Sequence, residues 1–385
     1  MDKFYFIKKE IQARKQNHRF RSLRTFHPLK NLIVKTGQRK LINFCSNDYL
    51  GLSANPELRK NAFKFMKLYG NGSTSSRLVC GCNPAFEAVE YKLSRLKGSE
   101  SSLIFNSGFQ ANMTVIPALL DKRSVIFSDE LNHNSLIQGA LLSRCEINVF
   151  KHNDLRDLEY RLQESEKKNY TRRLILSESV FSMDGDQSDL EGLIALSERY
   201  GAILMIDEAH ATGVLGEKGM GLCDAKRVDL IMGTFGKAMG SFGAYLSCAK
   251  ELADYFVNHC SGFIYTTALP PSTLGAIDAA LSIVPGMDFQ RETLLKMSAY
   301  LRDELNKMGY DTGYSTTQII PVIIGNDQEV LDLGQWLEDQ GFLAIAIRPP
   351  TVKAGQARIR LTLSAKHNFK QIDALLKAFT QWRNH

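Results

Sequence analysis

The stretch "VDLIMGTFGKAMGSFGAY" (residues 228–245) sets an apolar run against one lysine, Lys237, crowded by Gly233, Gly236, Gly240 and Gly243. A charged, flexible side chain in a glycine-rich turn at the end of a buried strand needs a chemical reason. A nucleotide phosphate loop is not that reason. Such a loop places four residues between its first glycine and the Gly-Lys pair, then a Ser or Thr. Here two residues separate Gly233 from Gly236, and Ala238 follows the lysine.

Outward from this turn, short apolar runs recur between longer amphipathic stretches. They are "SLIF" (102–105), "SVIF" (124–127), "INVF" (147–150), "RLILSES" (173–179), "AILMID" (202–207), "DLIMGT" (229–234) and "GAYLSC" (243–248). Runs apolar on both faces and separated by helices predict a parallel sheet covered on both sides. "DLEGLIALSERYG" (189–201) is one such helix, with Asp189 as its cap and Gly201 as its stop. After residue 284 the texture changes to a long helix, then "TTQIIPVIIG", a helix at 328–340, "GFLAIAIRPP" and "ARIRLTLSAKH". The expected class is α/β: a large domain (46–283) with a mostly parallel sheet between helices, plus a smaller α+β C-terminal domain (284–385). An N-terminal arm (1–45) is expected to pack on the smaller one.

Bulk composition narrows the function. The 385 residues are 44% hydrophobic and 23% charged, an ordinary globular balance. A net charge of +7 permits an anionic ligand, but no basic run is interleaved with aromatics, which argues against nucleic acid. Residues 1–30 carry nine Lys or Arg, read either as a solvated helix face or as a guide for an anionic acyl donor. The seven cysteines are scattered, and Cys80-Gly81-Cys82 has no second pair to complete a zinc site, so no metal is expected and reduced thiols in the cytoplasm are. The opening residues lack the apolar core of a secretory signal, and no run approaches a membrane span.

In an open parallel sheet, ligands bind beyond the carboxyl ends of the strands. Three strands here end in chemistry. One gives Glu178-Ser179, the next gives Asp207, Glu208 and His210 in "MIDEAHATG", and the third gives Thr234 and Lys237. Their spacings of 29 and 30 residues match one strand-helix-strand repeat, so the three turns face one crevice. Each residue alone has an ordinary reading: a cap, a structural histidine, a solvated turn lysine. Together they fit pyridoxal phosphate, whose aldehyde condenses with a lysine and whose ring nitrogen is kept protonated by a carboxylate. "NSGFQANMT" (106–114) offers a phosphate cradle at a helix start, with Gly108, Phe109, Asn112 and Thr114. "DELNHNSLIQG" offers His133 as a ring to stack on the pyridine.

These motifs resemble one family over nearly the whole chain: the α-oxoamine synthases among the fold type I pyridoxal-phosphate enzymes. The matching segments are "NDYLGL" (47–52), "NSGFQAN" (106–112), "DELNHNS" (129–135), "ESVFSMDGD" (178–186), "IDEAHATGVLG" (206–216), "GTFGKAMG" (233–240), "FIYTTALPP" (263–271) and "IRPPTV" (347–352). One departure is "GNGSTSSRLVCG" (70–81), where many relatives carry glycine at the positions of Thr74 and Ser75.

The resemblance implies catalytic roles for Lys237, Asp207 and His133, with Lys237 holding the cofactor as a Schiff base, Asp207 on the pyridine nitrogen, His210 on the ring hydroxyl and His133 stacked on the ring. It implies that Gly108, Phe109 and Thr234 serve the phosphate and that Ser179 lies beside the cofactor. It implies substrate contacts for Arg21, Asn47, His133, Arg348 and Thr351, and a homodimer in which Thr266 or Thr267 reaches the neighbouring subunit's phosphate. "YTTALPP" and "IRPPTV" are most similar to the members that join L-alanine to a pimeloyl thioester, on CoA or an acyl-carrier protein, in biotin synthesis. Siblings that use glycine with acetyl- or succinyl-CoA, or serine with a palmitoyl donor, share the same catalytic residues. A non-catalytic subunit of this fold is the remaining alternative, and the presence of Lys237 argues against it.

Overall fold

All seven apolar runs become strands of one sheet in the computed structural model, which describes residues 2–17 and 19–384. They are β1 (Ser101–Phe105), β2 (Val125–Asp129), β3 (Glu146–Phe150), β4 (Arg173–Glu178), β5 (Ile203–Asp207), β6 (Leu230–Thr234) and β7 (Ala244–Cys248), in the order β1-β7-β6-β5-β4-β2-β3. Strands β2 to β6 are mutually parallel. β7 departs from the parallel expectation and runs antiparallel to both β1 and β6. The segment between β6 and β7 is too short for a crossover helix, so the chain must turn back on itself. That reversal is the glycine-rich turn carrying Lys237.

Side chains alternate across this sheet, and both faces are apolar. Leu174, Leu176, Met205 and Met232 join one core, beneath helices Gly108–Leu119, Asn134–Ser143 and Lys250–His259. Val125, Phe127, Ile175, Leu204 and Ile206 join the other, beneath helices Leu155–Glu166 and Leu190–Tyr200. The period-two pattern with no polar face is what a doubly covered sheet requires. Helix Leu190–Tyr200 begins and ends as the sequence predicts: Asp189 accepts from the Gly192 N–H (2.9 Å), and Gly201 takes φ +57°.

The chain divides into two compact units, one of Asp48–Ser182 and Asp186–Glu292, which holds this sheet, and one of Met1–Asn47, Met183–Gly185 and Thr293–His385. The division falls within helix Asp288–Lys307. In the second unit, the N-terminal arm and the C-terminal segment share a sheet, because Arg39–Asn43 pairs in parallel with Phe342–Leu343. Arg24 also forks onto Glu338 with bonds of 2.7 and 2.9 Å. A second, antiparallel sheet of Ile319–Gly325, Ala357–Thr362 and Ile345–Ile347 completes this unit with helices Asp327–Asp339 and Phe369–Arg383. The latter helix starts with a reciprocal capping box between Asn368 and Gln371. Helix Tyr5–Gln16 buries none of its residues.

One buried ion pair ties the large unit together. Lys97, at the end of helix Pro84–Lys97, donates to Glu208 (2.5 Å) and to the Met220 carbonyl (2.5 Å). The other Glu208 oxygen accepts from the N–H groups of Leu222 (2.5 Å) and Cys223 (2.9 Å). Burial is the largest influence and works against the ammonium, yet the Glu208 charge, together with smaller contributions from Tyr245, Cys223 and the Glu208 hydrogen bond, outweighs it and holds the Lys97 pKa above its ordinary value. Both side chains are almost wholly buried, so removing one partner strands the other. Lys97→Met is expected to lower stability by about 3–5 kcal/mol, read as a fall in the urea midpoint. The double variant Lys97→Met with Glu208→Leu should recover much of that loss. A single variant as stable as wild type would show that the pair does not hold the 208–223 loop.

Candidate active site

The carboxyl ends of β4, β5 and β6 lie side by side, with Glu178 opposite Asp207 and Asp207 opposite Met232 in register. Asp207 is buried, and its hydrogen-bond partners are uncharged. Its Oδ2 accepts from the Asn112 side-chain amide (2.9 Å) and its Oδ1 from the Ala209 N–H (2.8 Å). Asn112 was expected to belong to a phosphate cradle; its helix instead turns the amide onto Asp207. Thr114 likewise donates its hydroxyl to the Gln110 carbonyl within the same helix (2.8 Å).

Lys237 reaches His210, with 2.7 Å between its Nζ and the ring Nε2. An ammonium only donates, so Nε2 accepts, and the proton on Nδ1 faces the Tyr49 oxygen at 2.6 Å. Tyr49 is fully buried. This tyrosine lies in "NDYLGL" and was not singled out in the sequence; nothing in its local pattern says that it meets a histidine 161 residues away.

His133 caps helix Asn134–Ser143 and sits on a second chain of bonds. The Asn112 amide also donates to Ser135 Oγ (3.0 Å), whose hydroxyl stands 2.7 Å from His133 Nδ1. The Ser135 N–H points to the same nitrogen (3.2 Å), which makes Nδ1 the acceptor and leaves the ring proton on Nε2. Burial holds the His133 pKa below its ordinary value; the Asp207 charge opposes this and Lys237 adds to it. The ring is therefore neutral at pH 7. The His133 N–H donates to Glu178 (2.5 Å). Burial, reinforced by the Asp207 charge, pushes the Glu178 carboxyl well above the usual carboxylate range. Ser135 and Glu178 are thus part of the array that aims His133, a role the sequence left unassigned.

The remaining residues expected in this unit fall as follows. Gly108 opens helix Gly108–Leu119, where the first N–H groups have no helical carbonyl to bond. A methyl at Gly108 would meet Met232 only at ordinary contact, 3.5 Å. Phe109 follows and is half-exposed. Thr234 Oγ1 bonds the Gly243 carbonyl (2.9 Å) and accepts from the Gly236 N–H (3.1 Å). Ser179 is fully buried, and its hydroxyl has no hydrogen-bond partner among the described residues. Thr266 Oγ1 accepts from Asn106 (3.0 Å), whereas Thr267 is exposed.

The four glycines around Lys237 separate into two kinds. A methyl at Gly233 would strike the Tyr245 ring at 2.3 Å, one at Gly240 would strike Leu52 at 2.5 Å, and one at Gly243 would reach Leu269 at 2.9 Å. A methyl at Gly236 would meet only Thr234 Oγ1, at 3.5 Å. Three of the four therefore serve packing, and Gly236 alone leaves room in the fold for another molecule. The neighbouring loop holds Thr74 at φ +56°, a left-handed conformation that favours glycine. Bonds from Ser73 to the Leu269 carbonyl (2.6 Å) and from the Ala268 N–H to the Ser75 carbonyl (3.0 Å) hold it there.

These residues fit pyridoxal phosphate. The buried hydroxyl of Ser179, unpartnered among the described residues, the helix start at Gly108 and the space beside Gly236 offer a polar cradle beside an amine and a carboxylate. In the other unit, Arg21, Arg348 and Thr351 line a cleft of about 610 Å³ with Phe20, Leu23 and Ile345. Arg21 donates to the Thr351 hydroxyl there (2.8 Å). Asn47 lies apart from that cleft, with its side-chain oxygen 3.4 Å from the Arg360 guanidinium. Among the described residues, no helix is long and apolar enough to cross a membrane.

Comparison with known proteins agrees with this chemistry. Residues 39–379 match the family of class I and II aminotransferases. An 8-amino-7-oxononanoate synthase from Gluconacetobacter diazotrophicus is 48% identical over 90% of this chain and 89% of its own. A solved serine palmitoyltransferase from Sphingomonas wittichii superposes with a TM-score of 0.91 at 29% identity, covering 99% of this chain and 97% of that one. An 8-amino-7-oxononanoate synthase from Francisella tularensis superposes at 0.78 with 26% identity, covering 89% and 98%. An amine, a buried carboxylate and an imidazole at three strand ends, on a chain matched along almost its full length, therefore belong to a member of the class I and II aminotransferase family, in its group of 8-amino-7-oxononanoate synthases.

Proposed function

We propose that this chain joins L-alanine to a pimeloyl thioester, giving 8-amino-7-oxononanoate, carbon dioxide and the free thiol, with pyridoxal phosphate bound at the ends of β4, β5 and β6. The observation that carries this reading is the array in which Lys237 meets His210 while Asn112 links Asp207 to Ser135 and so to His133. The relatives' names select the substrates. The TM-score of 0.91 to serine palmitoyltransferase reflects a fold shared with that serine-using sibling and does not select its substrate.

Pyridoxal phosphate supplies, when bound, an aldehyde for a lysine amine and a protonated pyridine ring that accepts the substrate's electrons. Lys237 provides that amine and, once free, the base for the α-proton of alanine. His210 at 2.7 Å is the group able to share the lysine's proton, and Tyr49 fixes the ring that does so. Asp207, whose side chain accepts from the Asn112 amide and the Ala209 N–H, is the carboxylate for the pyridine nitrogen. Neutral His133 presents a flat ring without adding positive charge. His210 serves the ring hydroxyl, Ser179 lies beside the cofactor, and Gly108, Phe109 and Thr234 serve the phosphate. Arg348, with Arg21, Thr351 and Asn47, contacts the substrates, the guanidinium being a fork for the amino acid's carboxylate. The active form in this reading is a cytoplasmic homodimer. The exposed Thr267, rather than the engaged Thr266, reaches the cofactor phosphate of a second copy.

A panel of amino acids and acyl thioesters tests the substrates. L-alanine with pimeloyl-CoA or the pimeloyl carrier protein should release carbon dioxide fastest; faster turnover of serine with palmitoyl-CoA, or of glycine with acetyl-CoA, would move the chain to a sibling activity.

Borohydride reduction followed by peptide mass mapping tests the anchor. The cofactor should be found fixed to the peptide containing Lys237, and Lys237→Ala should carry none. A reduced adduct in the variant would overturn the assignment.

For Asp207→Asn, exchange of the α-proton of alanine with solvent should slow about 100-fold, the scale of a lost charge-assisted hydrogen bond of about 2–3 kcal/mol. An unchanged exchange rate in cofactor-loaded protein would remove Asp207 from this role.

A further inference from the structure

Away from the reacting groups, one imidazole is held between two carboxylates. His152 Nδ1 lies 2.9 Å from Asp129 Oδ1, and its Nε2 lies 2.7 Å from Asp186 Oδ2. Carboxylates accept, so both ring nitrogens donate, and the ring is an imidazolium. Asp129 and Asp186 are buried, and the second oxygen of Asp186 has no hydrogen-bond partner among the described residues. Phe181 meets the His152 ring edge-on at 4.4 Å. The remaining ionisable neighbour is Glu130, which accepts the His152 backbone N–H at 3.2 Å.

The two carboxylates belong to the turns that carry site residues. Asp129 ends β2, and its Oδ1 also accepts the Leu131 N–H (2.8 Å), while its carbonyl accepts the Asn132 N–H (3.2 Å). The next residue is His133. Asp186 accepts the Phe181 N–H through its carbonyl (3.1 Å), and Val180 bridges Gln187. The residue before Val180 is Ser179. Asn153 repeats the link beside the histidine. At φ +53° it donates its N–H to Asp129 (3.0 Å) and its side-chain amide to Asp186 (2.9 Å).

We propose that His152, as a cation shared by Asp129 and Asp186, is a positioning residue that sets the turn of His133 against the turn of Ser179. This rests on the reading of those two residues given above. Without the cation, two buried carboxylates confront each other across the space it left, and repulsion drives the turns apart. Asn153 can satisfy hydrogen bonds but supplies no charge. Burial opposes the charge on His152, but the bonds to Asp129 and Asp186 outweigh it and raise the pKa to about 10. The folded value stands above the unfolded one of 6.5, so the stabilisation is complete below pH 6.5 and is lost as pH rises through about 10.

The test uses the full-length holoenzyme and three variants. In His152→Gln, the affinity for pyridoxal phosphate, read by fluorescence titration of cofactor-stripped protein, should fall about tenfold. Its kcat should fall with little change in KM for alanine. His152→Lys, which restores the charge, should recover affinity to within about threefold of wild type. Nitrogen-15 NMR of the labelled wild type should show a doubly protonated His152 ring at pH 8. Where His152→Gln does not fold, Asp186→Asn carries the test, with a smaller loss of affinity and an NMR midpoint moved toward neutral pH. Wild-type affinity and kcat in the folded charge-deleted variant, or a neutral His152 ring at pH 8, would overturn the proposal. The borohydride map at Lys237 is independent of His152, so failure here and failure of the active-site reading are distinguishable.

Discussion

The site depends on a difference between two adjacent acids. Asp207 and Glu208 both lie buried at the end of β5. Glu208 is answered inside the protein by the Lys97 ammonium and two backbone N–H groups. Asp207 is held by an amide side chain and one backbone N–H, all neutral. A buried carboxylate without a cation is costly, and the fold leaves that cost at Asp207 while removing it at Glu208. In the proposed reading, the pyridine nitrogen is the cation that Asp207 does not find among its hydrogen-bond donors.

Neutral donors also control the histidines. Asn112 divides its amide between Asp207 and Ser135, so the group that orients the acid also sets the tautomer of His133. A His133 cation would compete for Asp207; burial and Lys237 keep that ring uncharged. His152 is the opposite case. There, two acids surround one ring and keep it charged well above neutral pH. One residue type thus occurs here as a neutral ring and as a fixed cation, and whether carboxylates bond both ring nitrogens decides which.

The sheet and the residues at its strand ends were legible in the sequence because a doubly buried strand has no polar face and a strand-end Asp, His or Lys interrupts it abruptly. The 29- and 30-residue spacings translate directly into adjacent turns. Contacts made across long separations were not legible. Tyr49 to His210, Lys97 to Glu208 and His152 to both its acids each join segments whose local patterns look like ordinary loops or helix ends. Asn112 was misjudged for a related reason. It stands one turn inside its helix, and which neighbour its amide meets depends on how that helix rests on the sheet. The antiparallel course of β7 could have been read, because the segment after β6 is too short for a crossover.

That short reversal explains the position of the lysine. A parallel continuation would have sent the chain away from the sheet into a helix, as happens after β4. The hairpin instead holds Lys237 over the end of β6, where its amine finds His210. The turn is tight enough that three of its glycines are fixed by neighbours: Tyr245 at Gly233, Leu52 at Gly240 and Leu269 at Gly243. None of these contacts constrains Gly236. A fold selected for packing alone would gain from a side chain there, since replacing glycine in a compatible conformation reduces the entropy of the unfolded chain. The glycine next to Lys237 is therefore the one of the four that packing does not require.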